Sequence, residues 1–373
     1  MNLHAFAILF STRFVPFFFA LAGFGLLITI HELGHFLFCK LFGIHTPTFS
    51  IGMGPTLFKR KIGDTNFCLA AIPIGGYVEI AGMAEVGQGE QAQAHDSGPR
   101  SFGAKPYWQK FFVLTGGILF NMIFAYSVFI ALYFIGMPIR EKIDLVVKKP
   151  GTSQVWVVGD KILSVNNQLL KQDPKELFPA LAKIAAQLAE KPKKDVKILV
   201  QRSGKKLDIT IPWQDNGTQL DIGLFAGATL DVKTVKLTYE KYPFFQAIKK
   251  GINHTHLWVR TTFYSLKMLV AKRNTKAFGG PIRILSKSFE MAQQGLQLLF
   301  VFLAIISINL AVINILPIGA LDGGQLLFET IEAIIRRKIP NVIRFTINLA
   351  SWILILGLIL LLSYQDIIAL FVS

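Results

Sequence analysis

The chain has 373 residues, of which 52% are apolar, 32 are Phe and only 17% are charged; soluble domains carry about 25% charged residues, so long uncharged stretches must be present, and disorder, collagen-like repeats and an ordinary soluble enzyme are excluded. Lys and Arg number 39 against 23 Asp and Glu, a net charge of +16, and with no Cys/His finger or aromatic–basic RNA-binding pattern this excess points to anionic lipid beside membrane spans, not to nucleic acid. Two cysteines exclude a disulfide scaffold.

Residues 1–40 hold the first of four stretches near the roughly 20 apolar residues that cross a bilayer. Its core, residues 14–38, is interrupted by His31, Glu32 and His35. It is too long for a signal peptide and lacks a small-residue cleavage site, so it reads as a retained span. Residues 41–110 form a loop whose stretch 46–83 alternates as short strands around Gly63-Asp64, with interspersed glycines, and predicts a β-hairpin. Its strand edge could pair with an unwound peptide, or the hairpin could be structural only. Residues 111–138 contain the uncharged second span, 111–135.

Residues 139–230 have the composition of a small inserted domain, clearest over 141–213. Gly159-Asp160 predicts a turn before strand 161–165, which Asn166-Asn167 closes; Asp173-Pro174 opens a helix to about residue 189; strands 196–200 and 207–211 flank the hairpin signal Arg202-Ser203-Gly204-Lys205. This is an α+β module, and "GDKILSVNNQ" resembles part of a PDZ domain, a fold that binds peptides by strand addition. Residues 148–154 stand where such domains carry a Gly-Leu-Gly-Phe-type carboxylate loop, which is not visible here. Residues 231–295 follow as an interfacial, amphipathic segment, basic and apolar residues alternating over 242–287; a solvated surface helix has the same pattern. Residues 296–330 carry the third span, 296–316, and residues 331–373 the fourth, 345–363, with an apolar tail after Asp366.

Sidedness follows the Lys/Arg bias near span ends. Lys40, Lys59, Arg60 and Lys61 after the first span, and Arg336, Arg337, Lys338 and Arg344 before the fourth, put these loops in the cytoplasm. Both termini and the inserted domain then lie outside, and Cys39 and Cys68 face the reducing side as free thiols.

His31-Glu32-Leu33-Gly34-His35 is His-Glu-x-x-His. On a helix, residues i and i+4 are about 40° apart around the axis and one turn apart along it. Both imidazoles can therefore hold one zinc ion, with Glu32 placed to take a proton from the attacking water. Charged residues deep in a span cost roughly 2.5–3.5 kcal/mol on insertion scales, so a merely structural polar cluster is the poorer reading. A catalytic zinc normally has three protein ligands. Asp322 is the candidate third, because Pro317 and Gly323-Gly324 predict a break in the third span between residues 317 and 324; otherwise it caps the next helix. A transporter using these ligands should show inverted repeats, which the sequence lacks. An inactive scaffold should have lost Glu32, which is present.

"HELGH" in the first span with "NILPIGALDGG" in a late one resembles the site-2 protease family of intramembrane zinc metalloproteases, and within it the bacterial regulator-of-sigma-E group. "FSIGMGP", "IPIGGYVEIAG", "GGILFNMIFAY", the PDZ-like stretch and "FGGPIRI" follow in the family's order. The resemblance implies zinc on His31, His35 and Asp322, with Glu32 as catalytic acid/base. It also implies that Asn309 and Asn314 help hold the substrate, although either could serve as an interhelical hydrogen bond. It further implies a bacterial inner-membrane location with the active site toward the cytoplasm. The substrates it implies are single-span membrane proteins, anti-sigma factors and signal-peptide remnants among the candidates. Two features depart from the family: Gly319 stands where many members have a second proline, and only one PDZ-like module fits where the enteric sigma-E regulators have two. The expected architecture is a polytopic α-helical membrane protein of about four spans, with a re-entrant β-hairpin loop and one inserted α+β PDZ-like domain.

Overall fold

The structure is a computed structural model that describes residues 13–83, 93, 96–149, 155–172, 177, 180, 195–211, 229–272 and 279–371. The chain divides into two compact units, Gly136–Glu240 and the remainder.

In the larger unit, helix α1 (Val15–Leu41) carries Pro16 in its first turn, where a missing N–H costs nothing. It ends where Gly43 turns left-handed at φ +65°, a common helix stop. Strands β1 (Thr48–Ile62) and β2 (Thr65–Val78) follow, turning at Gly63-Asp64. Ser50 pairs with both Cys68 and Tyr77, so β2 folds back along both sides of β1. Phe36, Cys39, Ile44, Phe49, Val78 and Val113 pack together, fastening the sheet to α1 and to helix α2 (Tyr107–Ile135).

Helices α3 (Phe244–Lys272), α4 (Pro281–Gln294), α5 (Leu296–Asn314), α6 (Asp322–Ile335) and α7 (Asn341–Phe371) also belong to this unit. Leu27 of α1 packs with Leu299 and Leu303 of α5. Among the described residues, four helices are long and apolar enough to cross a membrane: α1, α2, α5 and most of α7. The protein is a multi-pass membrane protein. The fourth helix is longer than the expected 345–363: it begins just after Pro340 and runs through Asp366, whose carboxylate accepts the Gly280 and Arg283 N–H groups at the start of α4. A charge with two backbone donors no longer has to end the span. The interfacial segment at 231–295 resolves into three pieces: a strand up to Glu240, then α3 and α4.

The described strands of the smaller unit form one antiparallel sheet. Its strands are β3 (Met137–Lys149), β4 (Lys161–Val165), β5 (Gln168–Leu169), β6 (Val196–Arg202), β7 (Lys205–Ile211) and β8 (Thr229–Glu240), in the order β7-β6-β4-β3-β8, with β5 on β4. Asn166-Asn167 and Ser203-Gly204 all have positive φ, the two-residue hairpin turn whose twist suits adjoining strands. The expected domain, 139–230, lengthens at both ends because β3 and β8 pair along almost their whole length. The expected helix 173–189 lies outside the described residues apart from Leu177 and Ala180, both helical. Residues 150–154 also lie outside them. Asp160 is 1% exposed, and Arg202 donates to both of its carboxylate oxygens at 2.8 and 2.7 Å.

Candidate metal centre

His31 and His35 project from one face of α1, their rings edge to face with centroids 4.8 Å apart. The third group arrives across a broken helix. Helix α5 ends at Asn314 and α6 begins at Asp322, leaving residues 315–321 non-helical. The break opens earlier than the Pro317 and Gly324 signals suggest, because Pro317 has no N–H to give to Ile313. Unwound backbone inside a bilayer must still be satisfied. Here Ile318 N–H donates to Leu316, Leu321 N–H to Ile318, and Gln325 Nε2 to the Gly319 carbonyl at 2.6 Å. Gln325 also donates to Asn348 of α7, which ties the segment to the last helix. Asp322 is not the cap of α6: Leu321 holds that position and no side-chain cap bond is made.

Asp322 Oδ2 stands 3.3 Å from His31 Nε2 and 3.5 Å from His35 Nε2, and the two nitrogens are 3.3 Å apart. That oxygen is buried without a hydrogen-bond partner, the usual mark of a group meant for something else. The triangle can be tested against zinc. Bonds of about 2.0–2.2 Å in a tetrahedron put neighbouring ligand atoms about 3.3–3.6 Å apart. All three edges fall in this range, and one imidazole–imidazole–carboxylate face leaves a fourth corner open. For His35, Nδ1 lies 2.7 Å from the Val113 carbonyl, which can only accept, so Nδ1 carries a proton and Nε2 is the nitrogen turned into the triangle.

Glu32 lies beside this triangle, and its Oε2 accepts the Val78 N–H at 3.1 Å; the end of β2 therefore fixes one oxygen of the carboxylate. Asn314 Nδ2 is 3.4 Å from His31 Nε2, at the rim of the cluster. Asn309 is held differently: its Oδ1 accepts from Thr262 of α3 at 2.7 Å, an interhelical bond.

Close backbone packing sets these distances. Gly34 and Gly116 bring α1 and α2 into contact, a Cβ on Gly34 falling 2.2 Å from the Gly116 carbonyl oxygen. A Cβ on Gly117 would lie 2.5 Å from His35 Nε2 and 2.4 Å from His31 Cε1. Gly117, Asn121 and the Val113 carbonyl were not singled out from the sequence. The available signal was a Gly pair and a lone Asn inside an uncharged span, since small residues permit close helices and polar ones there need partners. Farther along α2 and α6, Lys110 pairs with Glu329 at 2.9 Å, and Arg344 of α7 pairs with Glu329 at 2.9 Å and Glu332 at 3.1 Å. This largely buried network joins the helix that walls the imidazoles to the helix that starts with Asp322.

The sequence profile of peptidase family M50 matches residues 19–358. A candidate zinc metalloprotease of Clostridium perfringens is 33% identical over 355 residues, covering 94% of this chain and 98% of that protein. Another, from a Nostoc species, is 30% identical over 347 residues, covering 91% and 92% of the two chains. A third, from Fusobacterium nucleatum, is 30% identical over 366 residues, covering 96% of this chain and 100% of its own.

Proposed function

Since the chain belongs to peptidase family M50, we propose that it cuts peptide bonds within or near the transmembrane segments of other membrane proteins. It is a zinc metalloprotease of the site-2 protease type. The observation that carries the reading is the triangle of Nε2, Nε2 and Oδ2 atoms with zinc-like edges, on a span and on a broken helix. In this reading His31, His35 and Asp322 hold the zinc. When bound, the ion supplies an acidified water and polarises the scissile carbonyl.

The chain's own groups account for the remaining steps. Glu32 takes the proton of the attacking water on its carboxylate and delivers it to the leaving amine nitrogen. The Val78 N–H on Oε2 orients that carboxylate with its other oxygen available. A substrate helix must unwind locally before its carbonyls are open to attack, and each backbone group left unpaired in hydrocarbon costs several kcal/mol. Asn314, at the cluster's rim, donates to one such carbonyl. Asn309 has its Oδ1 engaged by Thr262, so any bond from it to substrate runs through Nδ2. The β1–β2 sheet acts as a re-entrant hairpin whose Gly76–Val78 end receives the extended substrate by strand addition.

The substrates are single-span proteins of a bacterial inner membrane, anti-sigma factors or signal-peptide remnants, cut toward the cytoplasmic side. The Gly136–Glu240 unit is a PDZ-like module, outside like both termini, that selects substrates by ectodomain size. The turn–strand–turn of "GDKILSVNNQ" supports this.

The test is Glu32→Gln in proteoliposomes with a tagged single-span substrate. Zinc content should match the wild type while cleavage is abolished; undiminished cleavage would exclude Glu32 as the proton carrier. Lengthening the substrate's ectodomain should slow wild-type cleavage, and insensitivity to length would remove the sieve.

A further inference from the structure

We propose that Asn121 is a positioning residue for the metal centre: its side-chain amide sets which ring nitrogen of His31 carries the proton, and so whether Nε2 can bind a cation. This rests on the reading of His31 as a ligand. Asn121 is 0% exposed in the middle of α2, and its backbone carbonyl accepts the Ser307 hydroxyl at 2.9 Å, which fixes it from α5. Its Nδ2 stands 3.2 Å from His31 Nδ1, while its Oδ1 is buried with no hydrogen-bond partner.

In that orientation Nδ1 must accept. The ring proton is then on Nε2, which faces Asp322 Oδ2 and His35 Nε2 at 3.3 Å each, and the Asn314 amide 3.4 Å away must present its oxygen and not its nitrogen to it. A protonated Nε2 has no lone pair for a metal. A half-turn of the amide exchanges oxygen and nitrogen with hardly any change of shape. Oδ1 then accepts a proton carried on Nδ1, and Nε2 is bare. The amide oxygen gives up no hydrogen bond in turning, because it had none. The turned state gives His31 what the Val113 carbonyl gives His35: a fixed acceptor behind the ring, the arrangement that settles tautomer and orientation in metal-binding histidines. The amide differs from the carbonyl in one respect, because it can serve either tautomer. His31 is thus the ligand whose readiness can switch, with Asn121 as the switch.

The experiment measures zinc affinity of the purified full-length protein by competition with a chromophoric chelator, for wild type, Asn121→Leu and Asn121→Asp. Leu matches the side chain in size but accepts nothing, and should weaken zinc about 10–100-fold. Asp keeps the acceptor and should stay within a few-fold of wild type. A packing role would instead favour Leu over a buried carboxylate, so wild-type affinity in the Leu variant, or equal losses in both, overturns the proposal. A second readout needs no variant: nitrogen NMR of histidine-labelled, zinc-loaded wild type should show His31 protonated at Nδ1 and bound through Nε2. Binding through Nδ1 would also overturn it. Wild-type protein that holds no zinc would refute the metal reading itself, a result distinct from either.

Discussion

Replacing Gly117 with Ala tests whether the metal centre is shaped by contact between helices. The added Cβ would lie 2.4 Å from His31 Cε1, 2.5 Å from His35 Nε2 and 2.6 Å from His31 Nδ1. Ordinary contact between such atoms needs about 3.5 Å, so the imidazoles must retreat by about 1 Å. Metal sites tolerate about 0.2 Å in ligand distance. Withdrawal of α2 would instead sacrifice the close backbone contact between Gly116 and Gly34. Helix propensity works the other way, favouring Ala by about 1 kcal/mol, so any loss arises at the rings and not in the helix. Zinc affinity should fall at least about 10-fold, and cleavage about 100-fold, the typical cost of a 1 Å misplacement at a reacting centre. Chelator competition and cleavage of a single-span substrate read the two effects. Gly357→Ala in α7 is the control, because a Cβ there meets nothing within 4 Å; it should behave as wild type. A Gly117→Ala protein with wild-type zinc affinity and rate would refute the reasoning.

Asp322→Asn exchanges an anionic ligand for a neutral one and should lower zinc content on elemental analysis; full occupancy with full activity would remove Asp322 from the ligand set. Glu329→Ala leaves Lys110 and Arg344 without the carboxylate that is 7% exposed between them. Breaking such a pair costs about 3 kcal/mol, so the thermal midpoint should drop by several degrees and zinc should weaken, because α6 carries Asp322; an unchanged midpoint would refute this. In the smaller unit, burial opposes ionisation of Asp160, but the Arg202 fork and the Val157 N–H outweigh it and hold the carboxyl below its ordinary value. With the folded value below the unfolded one, the contribution is complete above about pH 4–5 and is lost as the pH falls through the folded value. Denaturation of the full chain, followed by hydrogen exchange in Gly136–Glu240, should show wild type losing stability as the pH falls below about 4–5. Asp160→Asn should be weaker at pH 6 and flatter below it, and parallel curves would refute the assignment.

The imidazole pair could be read from the sequence because it is local: residues one turn apart share a face whatever the tertiary structure. The hairpin turn at Gly63-Asp64 and the two-residue turns at Asn166-Asn167 and Ser203-Gly204 were legible for the same reason. Asp322 could be nominated from Pro317 and the following glycines, but its distance from the histidines depends on how α6 packs. Strand β8 was hidden by its irregular register. Lys142 pairs with Lys236 and Ile143 with Thr234, so Val235 is an extra residue. The apolar alternation accordingly shifts phase, from Leu230 and Val232 to Val235, Leu237 and Tyr239, and two-residue periodicity fails across the bulge. Its partner β3 is also some ninety residues away, beyond any local pattern. Asn309 and Asn314 look alike in sequence, and only the approach of Thr262 separates them.

Around the ligands themselves, neutral hydrogen bonds add little to helix association, about 0.6 kcal/mol each in hydrocarbon. Shape sets the spacing there. Gly34 lets α1 touch α2 and Gly117 leaves room for both rings. Gly323 and Gly324 seat the start of α6 against the carbonyls of Ile315 and Ile318, where a Cβ would fall 2.4 and 2.1 Å from oxygen. With no side chains between the backbones, helix separation translates directly into ligand separation. This is how a triangle with edges of 3.3–3.5 Å can be held by elements nearly three hundred residues apart in sequence. The polar contacts then have a narrower task. The Val113 carbonyl, the Asn121 amide and the Val78 N–H choose proton positions and orient groups within a space the glycines have already defined. Substitutions at the glycines should therefore change metal distance, and substitutions at the polar residues should change metal affinity at constant distance. X-ray absorption of the zinc-loaded variants separates these two effects. A lengthened metal–ligand shell in Asn121→Leu, or an unaltered one in a Gly117→Ala protein that still binds zinc, would reverse this division of labour.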